Sequence, residues 1–165
     1  MKEINPNQIK DNIFKLIGKD WLLITAGTID KFNTMTAGWG AMGILWGKEV
    51  CFVFVRPSRY TYQFMEKSEY FTLCFFEEKY RDILNYCGSH SGKNTDKIKN
   101  TGLKPVSTDL KNVYFAQSRL VLECKKIYFQ DINPEYFLDK NIEKNYSTQD
   151  YHRMYVGEIV KCYKE

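Results

Sequence analysis

Apolar and polar positions alternate with a short period along much of this chain, and β-branched and aromatic runs recur between clusters of turn-forming residues. The segment Trp21-Leu22-Leu23-Ile24-Thr25-Ala26-Gly27-Thr28 predicts a strand, with Asp30-Lys31-Phe32-Asn33 as the turn that ends it. Val50-Cys51-Phe52-Val53-Phe54-Val55 has no polar position at all, as expected of a strand covered on both faces. Pro57 and Ser58 punctuate, and Ser58 is a suitable N-cap for a short helix through Thr61, Phe64 and Met65.

Residues 70–76 predict the next strand, followed by a helical stretch from 78 to about 87 that Gly88-Ser89-His90-Ser91-Gly92 breaks. A further helical turn is expected over 96–100, ended by Thr101-Gly102. Residues 114–129 read as one long strand or a hairpin arm, with Leu120, Leu122 and Cys124 on one side and Arg119, Val121 and Glu123 on the other. Pro134 is placed to open a helix through Phe137, Leu138 and Ile142, and residues 154–160 close the chain as a strand. Many strands, few short helices and no regular βαβ alternation point to a mainly β protein, a β-barrel with helical insertions.

Composition narrows this picture. The 165 residues fit one domain spanning 1–165, and 44% hydrophobic with 16% aromatic residues supports a folded core. No apolar run approaches the ~20 residues that cross a bilayer, and Met1-Lys2-Glu3-Ile4-Asn5-Pro6 lacks the apolar core of a secretion signal, so a cytoplasmic protein is expected. A net charge of +4 is too small and too interspersed to imply nucleic acid by itself. The five cysteines are odd in number and lie in apolar or mixed runs, which reads as reduced, packed thiols instead of a disulfide framework.

Three polar segments carry candidate chemistry. Asn33-Thr34-Met35-Thr36-Ala37-Gly38-Trp39-Gly40 combines hydroxyls, an amide, small residues that allow close backbone approach, and an indole face. Arg56-Pro57-Ser58-Arg59-Tyr60-Thr61 adds two guanidiniums and hydroxyls at a helix start, a setting that favours phosphate. Ser89-His90-Ser91-Gly92-Lys93-Asn94-Thr95-Asp96-Lys97 again joins hydroxyls, glycine and lysines ahead of a helical turn. Each has a plainer reading as an exposed polar loop or a solvated arginine pair. Together they suit a flat, phosphorylated heteroaromatic ligand, flavin mononucleotide (FMN).

With these segments in place, the chain resembles the flavin reductase-like family of FMN-binding split β-barrels, and within it the flavoredoxin-like small flavoproteins. The likeness rests on the first two segments, on Cys87-Gly-Ser-His-Ser91-Gly92-Lys93 leading to Asp96-Lys97, and on Met154-Tyr155-Val156-Gly157-Glu158-Ile159. It implies a six-stranded antiparallel split β-barrel with short helical insertions and a homodimer with FMN near the interface. It also implies that Asn33, Thr34, Met35, Thr36 and Trp39 belong to the flavin site, with Asn33, Thr36 and Trp39 lining the ring. Arg56, Arg59, Tyr60 and Thr61 would surround the ribityl phosphate, and Ser91 and Lys97 would close over it. Members act as NAD(P)H-dependent flavin reductases or pass electrons to redox protein partners, so NADH or NADPH is a candidate donor.

No general acid or nucleophile stands out, and flavin chemistry does not require one. His152 reads as a surface or interface residue in preference to a ligand-facing one. Cys87 and His90 have metal-like spacing, but no second pair exists to complete a zinc site. Two rival readings remain open here: a non-catalytic barrel for single-stranded nucleic acid, suggested by the pI of about 8.7 and the aromatic content, and a barrel for pyridoxal phosphate or haem.

Overall fold

Alternation along the strands sorts their side chains into two apolar cores. The structure, a computed structural model, describes residues 1–165 and contains ten strands and four α-helices. The strands are β1 (Lys2–Ile4), β2 (Leu22–Thr28), β3 (Lys31–Ala37), β4 (Gly40–Leu45), β5 (Lys48–Val55) and β6 (Tyr70–Phe75), then β7 (Pro105–Ser107), β8 (Val113–Phe115), β9 (Leu120–Asp131) and β10 (Arg153–Lys164). The helices are α1 (Ile13–Gly18), α2 (Tyr60–Lys67), α3 (Arg81–Ser89) and α4 (Lys97–Thr101).

The main sheet is antiparallel throughout and runs β3-β2-β6-β9-β10-β5-β4, with β1 added on β10 and β7–β8 forming a separate hairpin. Its two edge strands, β3 and β4, are consecutive in the chain, with only Gly38 and Trp39 between them. The sheet therefore curls until its edges meet at that corner, yet no ladder closes the seam. This is a mainly β, split-barrel architecture with helical insertions.

Leu22, Ile24, Phe71, Leu73, Leu120 and Leu122 point into the barrel, and Leu16 and Ile17 of α1 and Met65 of α2 join the same cluster. The intervening Leu23, Cys74 and Val121 face outward, where Leu84 and Cys87 of α3, Leu103 and Phe115 cover them. β10 needs irregularities to stay in register with β9: shifts occur at Val156/Gly157 and Ile159/Lys161, which let both Ile159 and Cys162 reach the interior. All five cysteines are free and buried. No helix is long and apolar enough to cross a membrane.

Several expected boundaries move. The turn expected over 30–33 sits earlier: Gly27, at φ +108°, bends the chain and Thr28 pairs with Lys31. The segment from Asn33 to Ala37 is consequently strand β3 and not loop. Ser58 does not cap α2, because its hydroxyl is taken by Asp150; Arg59 holds the cap position without a side-chain bond. The helix expected from 78 begins as a 3-10 turn (Glu78–Tyr80), and α3 then runs through Gly88 and Ser89. The stretch 114–129 is split by a turn in which Ser118 N–H bonds the Phe115 carbonyl. The helix after Pro134 is replaced by two 3-10 turns, each restarted by its own cap, Asn133 and Asp139; Leu138 there is fully exposed, so no apolar face drives a longer helix. Neither α1 nor β4 was legible from the pattern.

Gly157 lies where β10 crosses the barrel interior, and a Cβ there would approach Phe71 Cζ to 2.6 Å and Cys124 Cβ to 2.9 Å. Gly157→Val is expected to lower stability by about 1–3 kcal/mol through overpacking, read as a reduced denaturant midpoint with an unchanged slope.

Candidate functional site

An arginine at the N-cap of α2 leaves that helix with donors to spare. Arg59 makes no side-chain cap bond, and the N–H groups of Tyr60 and Thr61 have no partner within the protein. Arg59 itself reaches across to the Gly88 carbonyl at 2.8 Å, pinning the start of α2 to the end of α3. Burial, and next the nearby Arg56, lower its pKa from the ordinary arginine value. β3 joins the same point from the other side: Asn33 Nδ2 donates to Thr61 Oγ1 at 2.7 Å. Gly92 is pressed against this amide, since a Cβ on it would lie 1.9 Å from Asn33 Oδ1. The resulting cradle, about 180 Å³, is walled by Asn33, Arg59, Tyr60, Thr61, Ser91 and Lys97.

Lys97 supplies the cradle's buried charge. It is only 6% exposed, and its ammonium donates to the carbonyls of Thr34 and Cys87, both at 2.7 Å, with no carboxylate paired to it. Burial is the main cause that brings its pKa down to about 8, and Arg59 adds to the fall. One ammonium hydrogen and the two first-turn N–H groups of α2 are therefore available to an anion.

The cradle shares Met35 and Arg59 with a neighbouring, flatter cleft of about 350 Å³ bordered by Trp21, Thr36, Gly38, Trp39, Phe54 and His152. Gly38 is required there, because a Cβ would meet the Trp21 indole at 2.9 Å. The Trp39 ring is 49% exposed and stands 5.2 Å from the His152 ring, centroid to centroid. His152 is buried, with Nδ1 2.9 Å from Tyr146 Oη. Burial first, and then Arg56, depress its pKa to about 4, so the imidazole is neutral at physiological pH.

The chain between β9 and β10 forms a strap along this cleft. Arg56 holds it, donating to the Asn145 carbonyl at 2.8 Å and lying 5.0 Å from the Tyr146 ring centre. Asp150 is tied down by the backbone N–H and hydroxyl of Ser58. Ile132 N–H and the His152 carbonyl close the base of the strap at 3.0 Å.

The expected site residues thus fall into separate positions. Met35, Thr36, Trp39, Arg56 and Arg59 border the flat cleft, and Asn33, Met35, Arg59, Tyr60, Thr61, Ser91 and Lys97 border the cradle. Asn33 stands at the cradle end and Arg56 at the cleft end. Thr34 borders neither: its hydroxyl is spent on Thr25 Oγ1 and the Ile24 carbonyl. The Thr36 hydroxyl donates to the Leu84 carbonyl and holds α3 against β3. His152, expected at the surface or an interface, is instead a buried wall of the cleft. Trp21 and Phe54 carried no signal beyond lying at the ends of strands.

Comparison with known proteins follows the same lines. The profile of the flavin reductase like domain matches residues 15–165. Flavoredoxin from Methanosarcina acetivorans superposes with a TM-score of 0.71 at 22% identity, covering 100% of this chain and 75% of that one. The FMN-binding protein from Thermus thermophilus, solved with p-hydroxybenzaldehyde, gives 0.71 at 16% identity, covering 100% and 82%. The NADH:FAD oxidoreductase of Streptomyces globisporus C-1027 gives 0.65 at 14%, covering 88% and 74%. At these identities the likeness is one of fold. No curated protein matches the chain.

The depressed His152 pKa has a measurable consequence. Its folded value of about 4 lies below the ordinary 6.5, so its contribution to stability is complete above pH 6.5 and is lost as pH falls towards 4. A proton NMR titration of the His152 ring is expected to show a midpoint near 4, and a midpoint above 6 would contradict the buried, neutral placement.

Proposed function

The chain belongs to the flavin reductase-like family, and on that premise we propose that it is a single-domain FMN-binding oxidoreductase, of flavin reductase or flavoredoxin type. The observation that carries this reading is the junction of two sequence segments at one bond, Asn33 Nδ2 to Thr61 Oγ1, which sets a flat aromatic-walled cleft beside an anion cradle. The residues fit the group. Uncapped N–H groups on α2, Arg59 and an ammonium without a carboxylate would hold a phosphate, and the close contact at Gly92 shapes the wall behind it.

In this reading Trp39, Met35 and Phe54 border the isoalloxazine and keep water from one of its faces. Arg56 and Arg59 bring positive charge to the cleft, which stabilises a ring that gains electrons. His152, neutral and fixed by Tyr146, presents an imidazole that does not compete with these cations for negative charge. When bound, the flavin supplies the hydride and electron transfer. The donor we propose is NADH or NADPH. The bound ring would lie near a homodimer interface, because β4 is an edge strand with Ile44 largely exposed and Trp46 exposed just beyond it. Exposed Phe14 and Trp39 border one surface pocket with Ala41 and Met42 at the start of β4.

The purified protein is expected to be yellow, or to become so with FMN, and Arg59→Ala to weaken FMN more than riboflavin. Equal losses for both would remove the phosphate from the cradle. Lys97 adds a pH signature. A phosphate beside it raises its pKa above the free value of about 8, so FMN affinity should be full below pH 8 and fall by up to about tenfold per unit above it. Lys97→Met should bind FMN more weakly and without that slope. Anaerobic addition of NADH and of NADPH, followed by flavin bleaching, decides between a nicotinamide-fed reductase and a carrier fed by another protein. Light scattering at twice the chain mass checks the dimer.

A further inference from the structure

Trp21 is held beside the cleft in a backbone conformation that large side chains seldom adopt. It lies between α1 and β2 at φ +64°, in the left-handed region that penalises a bulky residue. Leu22 pairs with Ala37, so the indole comes to lie against the next residue, Gly38. A Cβ on Gly38 would stand 2.9 Å from Trp21 Cδ1 and 3.0 Å from its Nε1, so the pyrrole edge faces Gly38. Both residues border the flat cleft. The Trp21 N–H has no acceptor within the protein and is not sealed away from the cleft. Arg81 lies over the ring, its guanidinium carbon 4.7 Å from the centroid, fixed by two bonds to Glu78 at 2.9 and 3.2 Å. Backbone strain, a glycine and an arginine are thus committed to one indole whose N–H is left free.

We propose that Trp21 donates its N–H to the carbonyl-bearing edge of the flavin ring and thereby sets how strongly the site prefers the reduced ring. The proposal rests on the flavin reading of the cleft. Along β3, Asn33 at the cradle and Ala37 beside Trp21 stand about 14 Å apart. A ring tethered by its ribityl chain to a phosphate in the cradle reaches this wall. The Thr36 hydroxyl is spent on the Leu84 carbonyl, and Arg56 and Arg59 are both bonded to backbone carbonyls. An N–H at that edge gains most when the ring takes up electrons, because a bond to an anionic acceptor is stronger than one to a neutral carbonyl. Arg81 is a positioning residue: its charge over the indole face holds the ring and strengthens its N–H as a donor.

Trp21→Phe keeps an aromatic wall under Arg81 and removes the N–H. Redox titration of the FMN-loaded variant is expected to show the preference for reduced over oxidised FMN falling about tenfold, a drop of about 30 mV in the two-electron midpoint potential. Arg81→Met is expected to shift the potential in the same direction by less, and to add nothing to Trp21→Phe. The unaltered chain gives a second readout. Its Trp21 indole N–H signal, assigned through contact with the Gly38 α-protons, should move downfield in a nitrogen–proton spectrum when FMN is added. A Trp21→Phe protein that loses affinity equally for both oxidation states, or an indole signal that FMN leaves in place, overturns the role of Trp21 while FMN binding stands. A chain that binds no FMN removes the flavin reading and this inference with it.

Discussion

A lysine ammonium withdrawn from water without a carboxylate is the constraint around which this molecule is arranged. Lys97 sits at the start of α4, yet its charge is held by carbonyls from β3 and from the end of α3. Neutral carbonyls compensate a buried cation only in part, which is why its pKa falls to about 8. The arrangement ties three elements together at one atom and leaves an electrostatic deficit that an anion can fill. The uncapped start of α2 points into the same space, so two independent sources of positive potential converge there.

The split barrel supplies the platform. Its seam falls between consecutive strands joined by Gly38 and Trp39, and this corner needs small residues to admit the Trp21 indole and the Phe52 carbonyl. Because β2, β6 and β9 are covered on both faces, α3 has a fixed apolar seat through Leu84 and Cys87. That seat positions Gly88 to receive Arg59 and Cys87 to receive Lys97. Packing on the outside of the barrel thus sets the polar geometry of the cradle.

The strap between β9 and β10 shapes the other end. Arg56 holds it by backbone carbonyls and an aromatic face, and Tyr146 and Phe137 pack into an aromatic group behind His152. A guanidinium nearby and the loss of water together keep the imidazole neutral. The cleft consequently carries its positive charge on arginines alone, which do not titrate, while its one histidine offers hydrogen bonding without charge.

Strands β2, β5, β6, β9 and β10 were legible because they depend on local patterning: the parities of Leu120 and Leu122 against Val121 are present in the order of residues. The small, hydroxyl-bearing and basic segments were legible for the same reason, since their composition is what a phosphorylated ring requires. The chain order did not reveal that Thr34 turns its hydroxyl inward to Thr25, that Arg56 serves the strap, or that His152 is a wall of the cleft. Those assignments depend on partners 9 to about 90 residues away, brought near only when the sheet curls and the strap folds back. Residue types and periodicity decided which elements form and which chemistry is available. Only the closed-up tertiary structure decided which donors are consumed by the protein and which are left for a ligand, because a hydrogen bond's partner is a matter of position in space.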